Sequence, residues 1–346
     1  MRGKGSLRSN LALYHRLDDQ DLDFGGSNLL MVNIRNKNRK HAKCEVSFDV
    51  LQPYGAIADA YYAELLQNAS FLDTVLDTIP DITGLLDPLL FDLRKLSISL
   101  YTPYADISVG RQIINFGKGF VFSPMDVYSS VDITDLNFRR SGSDVLRLKI
   151  PFGALSGADV VTSLSRLGNT ENSAVKLYTN LGGYDLSAVG IYDDENYRSV
   201  AGLGFKGDLF LGVYGELVET FKQGFGNRSF KSMLGLDYSW ENTWFAMVEY
   251  YYREKPGWEA GLDFEDLIYG KHNLFANLRY QHNELLSFSA NTIFNTLDQK
   301  ALSTVQVFYN LFQNTDVTAY IRHYSLDLGI PLIPDLEYAV QAEVKF

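Results

Sequence analysis

Apolar and polar side chains alternate along many short stretches of this chain. The last stretch ends at Phe346, and its apolar side chains occupy every second position: Tyr338, Val340, Ala342, Val344 and Phe346. Successive side chains of a β-strand point to opposite faces, so such a stretch predicts a strand with one apolar and one polar face. Similar stretches recur along the chain, and the pattern therefore predicts an all-β fold.

We predict about 18 strands, with 16 as the next choice if the weak early pairs are not strands. The alternating stretches are 7–13, 30–34, 44–50, 96–100, 107–109, 146–150, 158–164, 175–177, 184–188, 201–205, 209–213, 234–240, 244–250, 274–280, 286–290, 305–309, 317–321 and 338–346. Residues 57–90 interrupt the series, because their apolar side chains have helical spacing and Pro80 and Pro88 supply stops. We interpret them as a helical insertion within a loop, either over the barrel mouth or in its lumen.

The connections between the predicted strands alternate in length. Short turns lie between longer connections at 219–228, 254–271 and 325–335. Transmembrane barrels have short periplasmic turns, longer outer loops and an even number of antiparallel strands. A soluble sandwich or propeller gives no reason for this alternation, nor for the aromatic side chains that flank the same turns: Tyr238, Trp240, Trp244, Tyr250 and Tyr280. Residues 1–346 are therefore expected to form a single transmembrane antiparallel β-barrel.

Composition narrows the class of protein. Aromatic residues make up 14% of the 346 residues, and the mean hydropathy is −0.10. No stretch of eighteen apolar residues is present to form a membrane-spanning helix. The net charge of −11 argues against nucleic acid as a partner, and the single Cys44 forms no internal disulfide. The opening MRGKGS has no apolar run of a signal peptide, so we expect a mature form of an exported chain.

Motifs for catalysis are weak in this sequence. The spacing of Gly202, Gly204 and Gly207 matches a dinucleotide fingerprint, but it lies in a predicted hairpin and not between a strand and a helix. No Gly-x-Ser-x-Gly, His-Glu-x-x-His or P-loop motif occurs, and the five histidines fall on different segments. We therefore predict no enzyme activity, no cofactor and no metal site.

Residues 110–142 form a long stretch without strand pattern. Loops of this length in compact domains are usually functional, and in porin-type barrels such a loop narrows the lumen. On that interpretation its charged side chains are constriction candidates: Arg111, Lys118, Asp126, Asp132, Asp135, Arg139 and Arg140. The alternative is a solvated external loop with locally paired charges.

Charged residues on the inward parity of the strands are further pore candidates: Arg147, Lys149, Glu249, Arg279 and Arg322. Both signs are mixed. The plainer alternative is that these side chains pair across strands and hydrate the lumen, since any aqueous barrel interior needs polar residues.

Two parts of the sequence resemble known proteins. The motifs Gly110-Arg111-Gln112, Gly117-Lys118-Gly119 and Ser123-Pro124-Met125-Asp126, followed by the stretch 140–144, are similar to the strand-loop-strand pattern of porin-like outer-membrane proteins. The C-terminal strand with Tyr338 and the terminal Phe346 resembles the assembly signal of bacterial outer-membrane barrels. The resemblance implies a barrel in the bacterial outer membrane, surrounded by its lipid and inserted by the barrel-assembly machinery.

The function expected from these features is passive diffusion of small polar solutes through a porin or channel. The alternative is a non-conducting structural or interaction barrel that serves adhesion, envelope assembly, or lipid or polymer export. Homo-oligomer formation is left open.

Overall fold

The fold is seen in a computed structural model, which describes residues 2–15, 22–36, 41–56, 58, 90–129, 131–164, 170–194, 197–222, 227–241, 243–256, 270–297, 299–325 and 335–346. They contain 18 strands: β1 (Arg2–His15), β2 (Leu22–Arg35), β3 (Ala42–Gly55), β4 (Leu90–Tyr101), β5 (Asp106–Gln112), β6 (Ser143–Pro151), β7 (Gly157–Leu164), β8 (Thr170–Leu181), β9 (Tyr184–Asp193), β10 (Arg198–Asp208), β11 (Gly212–Lys222), β12 (Asn227–Trp240), β13 (Trp244–Arg253), β14 (His272–Gln281), β15 (Leu286–Asn295), β16 (Ala301–Phe312), β17 (Thr315–Ser325) and β18 (Leu336–Lys345). Among these residues no helix is long and apolar enough to cross a membrane.

Each strand pairs antiparallel with the next, and β1 pairs with β18, where Leu11 lies opposite Val340. The sheet is therefore a closed barrel without free edges. The predicted count of 18 strands is confirmed, and the next choice of 16 is wrong.

The alternating apolar face points outward. In β1 the side chains of Leu7, Leu11 and Leu13 are 44–51% exposed, whereas Arg8 and Ala12 on the other parity are buried. Inward side chains are covered by neighbouring strands and by chain inside the barrel. The period of two that predicted the strands thus also divides their two faces correctly.

Outward aromatic side chains gather at the ends of β12 to β14. The ring centroids of Tyr238 and Trp240 are 4.7 Å apart, and those of Trp244 and Tyr280 are 4.6 Å apart. Trp240 lies opposite Trp244 across the short turn between β12 and β13. This arrangement is the aromatic girdle expected where a barrel meets the membrane interface.

A polar row interrupts the outward apolar face of β1 to β3. Ser9 Oγ donates to Asn28 Oδ1 at 2.7 Å, and Asn28 Nδ2 donates to Gln52 Oε1 at 3.4 Å. The three residues are paired in register across these strands. Because they satisfy one another, the row lowers the cost of placing amide groups against hydrocarbon.

Short and long connections alternate around the barrel. Residues 102–105 join β4 to β5 and residues 182–183 join β8 to β9, whereas residues 113–142 join β5 to β6. The first residue of β1 and the last residue of β18 lie at the same end of the barrel, because an even number of antiparallel strands returns the chain to its starting side. This is the end with the short turns.

Three predicted boundaries differ from the structure. Leu209 and Phe210 are exposed turn residues, because pairing with β10 begins only at Gly212, and alternation alone does not separate a strand from a tight apolar turn. Residues 110–112 belong to β5 and not to the following loop. The predicted helical insertion at 57–90 lies outside the described residues apart from its ends, and its last residue is the first of β4.

The long connection between β5 and β6, residues 113–142, is called the β5–β6 segment; its described parts are 113–129 and 131–142. Its apolar side chains pack on inward side chains of the wall in two buried clusters. One contains Ile114, Phe116, Met125 and Tyr128 with seven wall residues: Val145, Val161, Ala174, Val189, Ile191, Val200 and Val218. The other joins segment residues to wall residues of β11 to β16: Val121, Phe122, Val131, Ile133, Tyr214, Met233, Tyr251, Phe275, Ile293 and Leu302. The buried core thus lies between segment and wall.

The terminal aromatic residue closes the barrel seam. The backbone N–H of Gly5 donates to the carbonyl of Phe346 at 2.8 Å, and the N–H of Phe346 donates to Gly5 at 2.9 Å. A Cβ on Gly5 would meet the Phe346 ring, so the ring lies over Gly5 on the outer surface.

Phe346→Ala is expected to lower the fraction of folded barrel recovered from outer membranes, because it removes the seam contact and the predicted assembly signal. The measurement is heat-modifiable migration in gels. Phe152→Ala is the control, since Phe152 is 67% exposed and Phe346 is 70% exposed. Equal recovery of the two variants would contradict the proposed role of Phe346.

Candidate functional site

Three carboxylates bind the backbone of the β5–β6 segment. The first is Asp126 of the segment itself, whose Oδ1 accepts the N–H groups of Phe116 and Gly117. Its Oδ2 accepts from Arg140 Nη1 at 2.6 Å, an ion pair whose Asp126 side chain is 3% exposed. Burial raises the pKa of Asp126, although Arg140 and the two N–H groups oppose that shift. The bonds close residues 116–126 into a loop.

The second carboxylate is Glu216 of β11, which points into the barrel beside outward Leu217. Its Oε1 accepts the N–H groups of Lys118 and Gly119, and its Oε2 accepts that of Met125 at 3.1 Å. The Ser123 hydroxyl donates to the same carboxylate. A buried carboxylate is stable only when its oxygens are paired, and here backbone groups of the segment supply that pairing.

The third carboxylate is Glu249 of β13, whose side chain is fully buried. It accepts the N–H groups of three consecutive residues, Phe120, Val121 and Phe122. The Tyr214 hydroxyl donates to Glu249 Oε1 at 2.9 Å. Strands β11 and β13 thus hold six backbone N–H groups of one short stretch through two inward carboxylates.

Gly119 permits this close approach. A Cβ at Gly119 would overlap the carbonyl oxygen of Phe122 and would contact Met233 Cε at 2.8 Å. Its N–H lies 3.0 Å from Glu216 Oε1. The Gly-Lys-Gly motif is therefore explained by space around the backbone.

Aromatic rings fix the other side of the stretch. The rings of Phe122 and Tyr251 stack at 5.3 Å, and those of Phe120 and Phe275 stack at 5.9 Å. Phe138 meets Phe275 edge-on at 5.6 Å. Burying a side chain such as Phe122 stabilises the packed state by about 1.5–3 kcal/mol, so the segment is held by packing as well as by hydrogen bonds.

Residues 131–140 fold into a small hairpin. Val131 pairs with Arg140, and the N–H of Asp132 donates to the carbonyl of Arg139 at 2.7 Å. Asp132 is exposed, and its Oδ1 accepts the Thr134 N–H at 2.9 Å within the hairpin. Phe138 has φ of 50°, a left-handed conformation that is uncommon for a bulky residue, and its contacts with other rings hold it there.

Ion pairs join the hairpin to the β1–β3 side of the barrel. Asp135 pairs with Arg139 at 2.6 Å and with Arg8 at 3.2 Å. Arg139 also pairs with Asp49 of β3 at 2.6 Å. Burial of Asp135 opposes ionisation, but Arg139 and Arg8 outweigh it and lower the pKa of Asp135. The carboxylate therefore stays ionised while it links segment and wall.

Arg322 of β17 anchors the hairpin from a further direction. Its Nη2 donates to the carbonyl of Thr134 at 2.8 Å, and its Nη1 lies 3.3 Å from Glu337 Oε2. Both charged side chains are 6% exposed. Tyr324 donates to the same Glu337 oxygen at 3.0 Å. Arg322 thus lies inside the barrel as predicted, but in a satisfied buried network.

Arg111 lies on the opposite face from the expected one. It pairs with Asp144 at 2.7 Å, and the parity of Asp144 is that of outward Leu146. Gly110 has φ of 109°, and a Cβ there would overlap the Leu96 carbonyl oxygen, but Arg111 continues the outward parity of Ile107 and Val109. Arg111 is therefore not part of the inner site.

The other predicted strand residues divide into paired and open ones. Arg147 pairs with Asp159 of β7 in the wall. Lys149 and Arg279 are exposed, and both lie on the inward parity of their strands. Arg279 Nη2 donates to Gln281 at 3.1 Å and has no carboxylate partner among the described residues. Lys118 is half-buried beside its anchored backbone.

Two neighbouring cavities lie between the hairpin and the wall. One of about 440 Å³ is lined by both segment and wall: Phe120, Phe138, Phe245, Asn277, Arg279 and Gln306 are among its residues. The other, of about 350 Å³, shares Leu136, Asn137, Gln306 and Phe308 with it and continues toward Arg8 and Glu343. Among the described residues no group of three or more His, Cys, Asp or Glu could hold a metal ion.

The sequence did not single out several residues that hold the segment. Glu216, Asp49 and Arg8 are charged residues on inward parities, and that parity was the available signal. Parity places a carboxylate in the lumen, but it does not say that a distant loop will bind it. Phe120 gave no signal at all, since its role depends on the cavity beside it.

No family model matches the chain, and no curated protein matches its sequence. Its fold is similar to solved structures of three proteins at 8% sequence identity. Each of the three alignments covers 99% of this chain. The proteins are Pseudomonas aeruginosa OccK5 (98% of that chain covered, TM-score 0.60), Acinetobacter baumannii OccAB1 (96% covered, TM-score 0.60) and the Pseudomonas aeruginosa outer-membrane protein OprD (93% covered, TM-score 0.56). The chain therefore has the closed 18-stranded barrel fold of bacterial outer-membrane porins, as its sequence predicted.

Proposed function

We propose that this protein is an outer-membrane channel for passive diffusion of small polar solutes, and that the β5–β6 segment narrows its lumen. The outward apolar face of the barrel meets membrane lipid. The inward face supplies polar side chains to a water-containing interior. The observation that carries the proposal is the pair of cavities between hairpin and wall, which are lined by amide, hydroxyl and charged side chains together with aromatic ones.

The constriction consists of segment residues together with the wall residues that face them. Arg8 and Glu343 supply fixed charges of both signs at the smaller cavity, and Arg8 pairs with Asp135 of the segment, which also pairs with Arg139. Arg279 supplies an open cation at the larger cavity. Charged groups that line a narrow passage select permeant solutes by the sign of their charge. The charge selectivity of this pathway therefore depends on these groups and is not predicted by the net charge of the chain.

The test is single-channel recording of the purified barrel in planar lipid bilayers. We expect steady ohmic openings in potassium chloride and liposome swelling with small polar solutes. A folded barrel that gives neither conductance nor swelling would contradict the channel.

A second candidate is a non-conducting structural or interaction barrel. It is favoured by the spread of the segment's contacts, because Glu249 of β13, Arg322 of β17 and Asp49 of β3 all hold it. A segment tied to so many strands crosses much of the lumen. The same recording separates the candidates, since a barrel of this second kind stays silent.

Arg279→Gln is expected to shift the ion selectivity of the channel toward cations. Removing one charge at roughly 8 Å from a permeant ion in water changes its energy by about 0.5 kcal/mol, or about twofold in relative permeability. The measurement is the reversal potential in a potassium chloride gradient. Arg228→Gln is the matched control, because Arg228 is 68% exposed and pairs with Glu219 outside the cavities. Equal reversal potentials in the two variants would place the permeation path elsewhere.

A further inference from the structure

The larger cavity has two chemically different walls. On the segment side lies Phe120, a residue that is 43% exposed although its backbone N–H donates to Glu249. Phe138 packs edge-on against this ring at 5.4 Å and also lines the cavity. Phe275 stacks on one side of the Phe120 ring at 5.9 Å, and the part of the ring that remains exposed lines the cavity, where a solute can stack on it.

The barrel wall on the other side carries amides beside three apolar side chains, Phe245, Met247 and Phe308. Asn277 of β14 and Asn291 of β15 are cross-strand partners, and both line the cavity. Among the described residues neither amide has a hydrogen-bond partner in the protein. Each amide offers two donors and an acceptor, so the pair is equipped to bind adjacent hydroxyl groups that both donate and accept.

The polar surface continues sideways on the same wall. Gln306 Nε2 donates to Ser289 Oγ at 2.7 Å, and Ser289 is the cross-strand partner of Arg279. Gln306 also lines the second cavity, so the surface extends from one cavity to the next. Its length suits a solute with several hydroxyl groups along one edge.

Charge favours a neutral occupant of this cavity. Arg279 supplies one cation, whereas the other polar side chains that line the cavity are neutral amides and hydroxyls. The chain as a whole carries a net charge of −11, which disfavours accumulation of anions. An ionic solute would gain one partner here, but a polyhydroxylated one gains the whole polar wall.

We propose that the cavity is a binding subsite for neutral saccharides, with the apolar face of a sugar ring stacked on Phe120 and its hydroxyls bound by Asn277, Asn291 and Gln306. This inference rests on the proposed channel, because it names the class of solute that passes the constriction. The subsite lies between the β5–β6 segment and the barrel wall. A weak, rapidly exchanging site there raises the local concentration of solute without trapping it.

The test uses maltose and sucrose as probes on the folded, detergent-purified barrel. Isothermal titration calorimetry is expected to show saturable binding of at least one of them. Phe120→Leu keeps the backbone bond to Glu249 but loses the aromatic face, and it is expected to weaken binding about fivefold. The double change Asn277→Leu with Asn291→Leu is expected to abolish measurable binding, since both free amides are lost.

Phe152→Leu is the matched control, because Phe152 is exposed in the turn between β6 and β7 and lines neither cavity. It is expected to bind the probes like the parent protein. Equal weakening by Phe152→Leu and Phe120→Leu would overturn the location of the subsite. Binding of benzoate but not of maltose or sucrose, lost on Arg279→Gln, would overturn the saccharide class.

Conductance separates this inference from the channel on which it rests. Maltose or sucrose is expected to reduce the ion current of the parent protein and to leave that of Phe120→Leu nearly unchanged. A conducting barrel that binds neither sugar would overturn the subsite and leave the channel standing. A silent barrel that binds a sugar would overturn the channel and leave the subsite standing.

Discussion

Replacing Glu249 by glutamine is expected to release the β5–β6 segment from the wall and to raise the single-channel conductance. The carboxylate accepts hydrogen bonds from three backbone N–H groups and from the Tyr214 hydroxyl. Glutamine has nearly the same volume, but its NH₂ group would face N–H donors. Each hydrogen bond to a charged group contributes about 1.5–3 kcal/mol, so the loss of several of them removes a large share of what holds one loop in place.

Limited trypsin digestion detects release of the β5–β6 segment independently of the conductance measurement. Lys118, Arg139 and Arg140 lie on the segment, and the two arginines are held in ion pairs that restrict access. We expect cleavage at these sites to become faster in Glu249→Gln. Glu219→Gln is the control, because Glu219 pairs with Arg228 at a more exposed position. Unchanged digestion and conductance in Glu249→Gln would show that the carboxylate does not hold the segment.

Gly119→Ala is expected to displace the same stretch by steric overlap. The added Cβ would overlap the Phe122 carbonyl, which is backbone and has little freedom to move. Overpacking of this kind costs about 1–3 kcal/mol, and the displacement also pulls the N–H of residue 119 away from Glu216. The measurements are urea unfolding of the barrel in detergent and conductance in bilayers.

Gly190→Ala provides the comparison for that change. Gly190 lies in β9, and a Cβ there meets nothing within 4 Å, so the same substitution is expected to leave stability and conductance close to those of the parent. If Gly119→Ala is as stable and as conductive as Gly190→Ala, a methyl group fits at residue 119 and the predicted displacement of the stretch is wrong.

The alternation of apolar and polar residues along the chain predicted most of the fold. A period of two is set by the geometry of a single strand, and it correctly divided Leu7, Leu11 and Leu13 from the buried Ala12. Closure also followed from sequence, because an unpaired strand edge in hydrocarbon is prohibitive and forces the strands into a ring. The alternation of short and long connections then gave the even count of 18.

The alternating pattern did not place every residue at the ends of the strands correctly, because pairing with neighbouring strands decides where a strand begins and ends. Leu209 and Leu211 alternate like strand residues, yet they lie in an exposed turn before β11. Arg111 shares the outward parity of Ile107 and Val109 and lies on the outer face, so its expected place in the lumen is wrong, because β5 extends to Gln112 and the residue does not belong to the loop. In each case the sequence contained an apolar or charged residue whose direction only the neighbouring strands decide.

By itself, the sequence determined a membrane barrel, its strands, the two faces of each strand and a long charged connection after β5, since all of these depend on neighbours in the chain. Only the tertiary structure decided what that connection does. Glu216 and Glu249 lie roughly one hundred residues or more beyond the N–H groups they accept, and Arg8 lies a comparable distance before Asp135. No local periodicity encodes such pairings, because they exist only after the strands have closed around the segment.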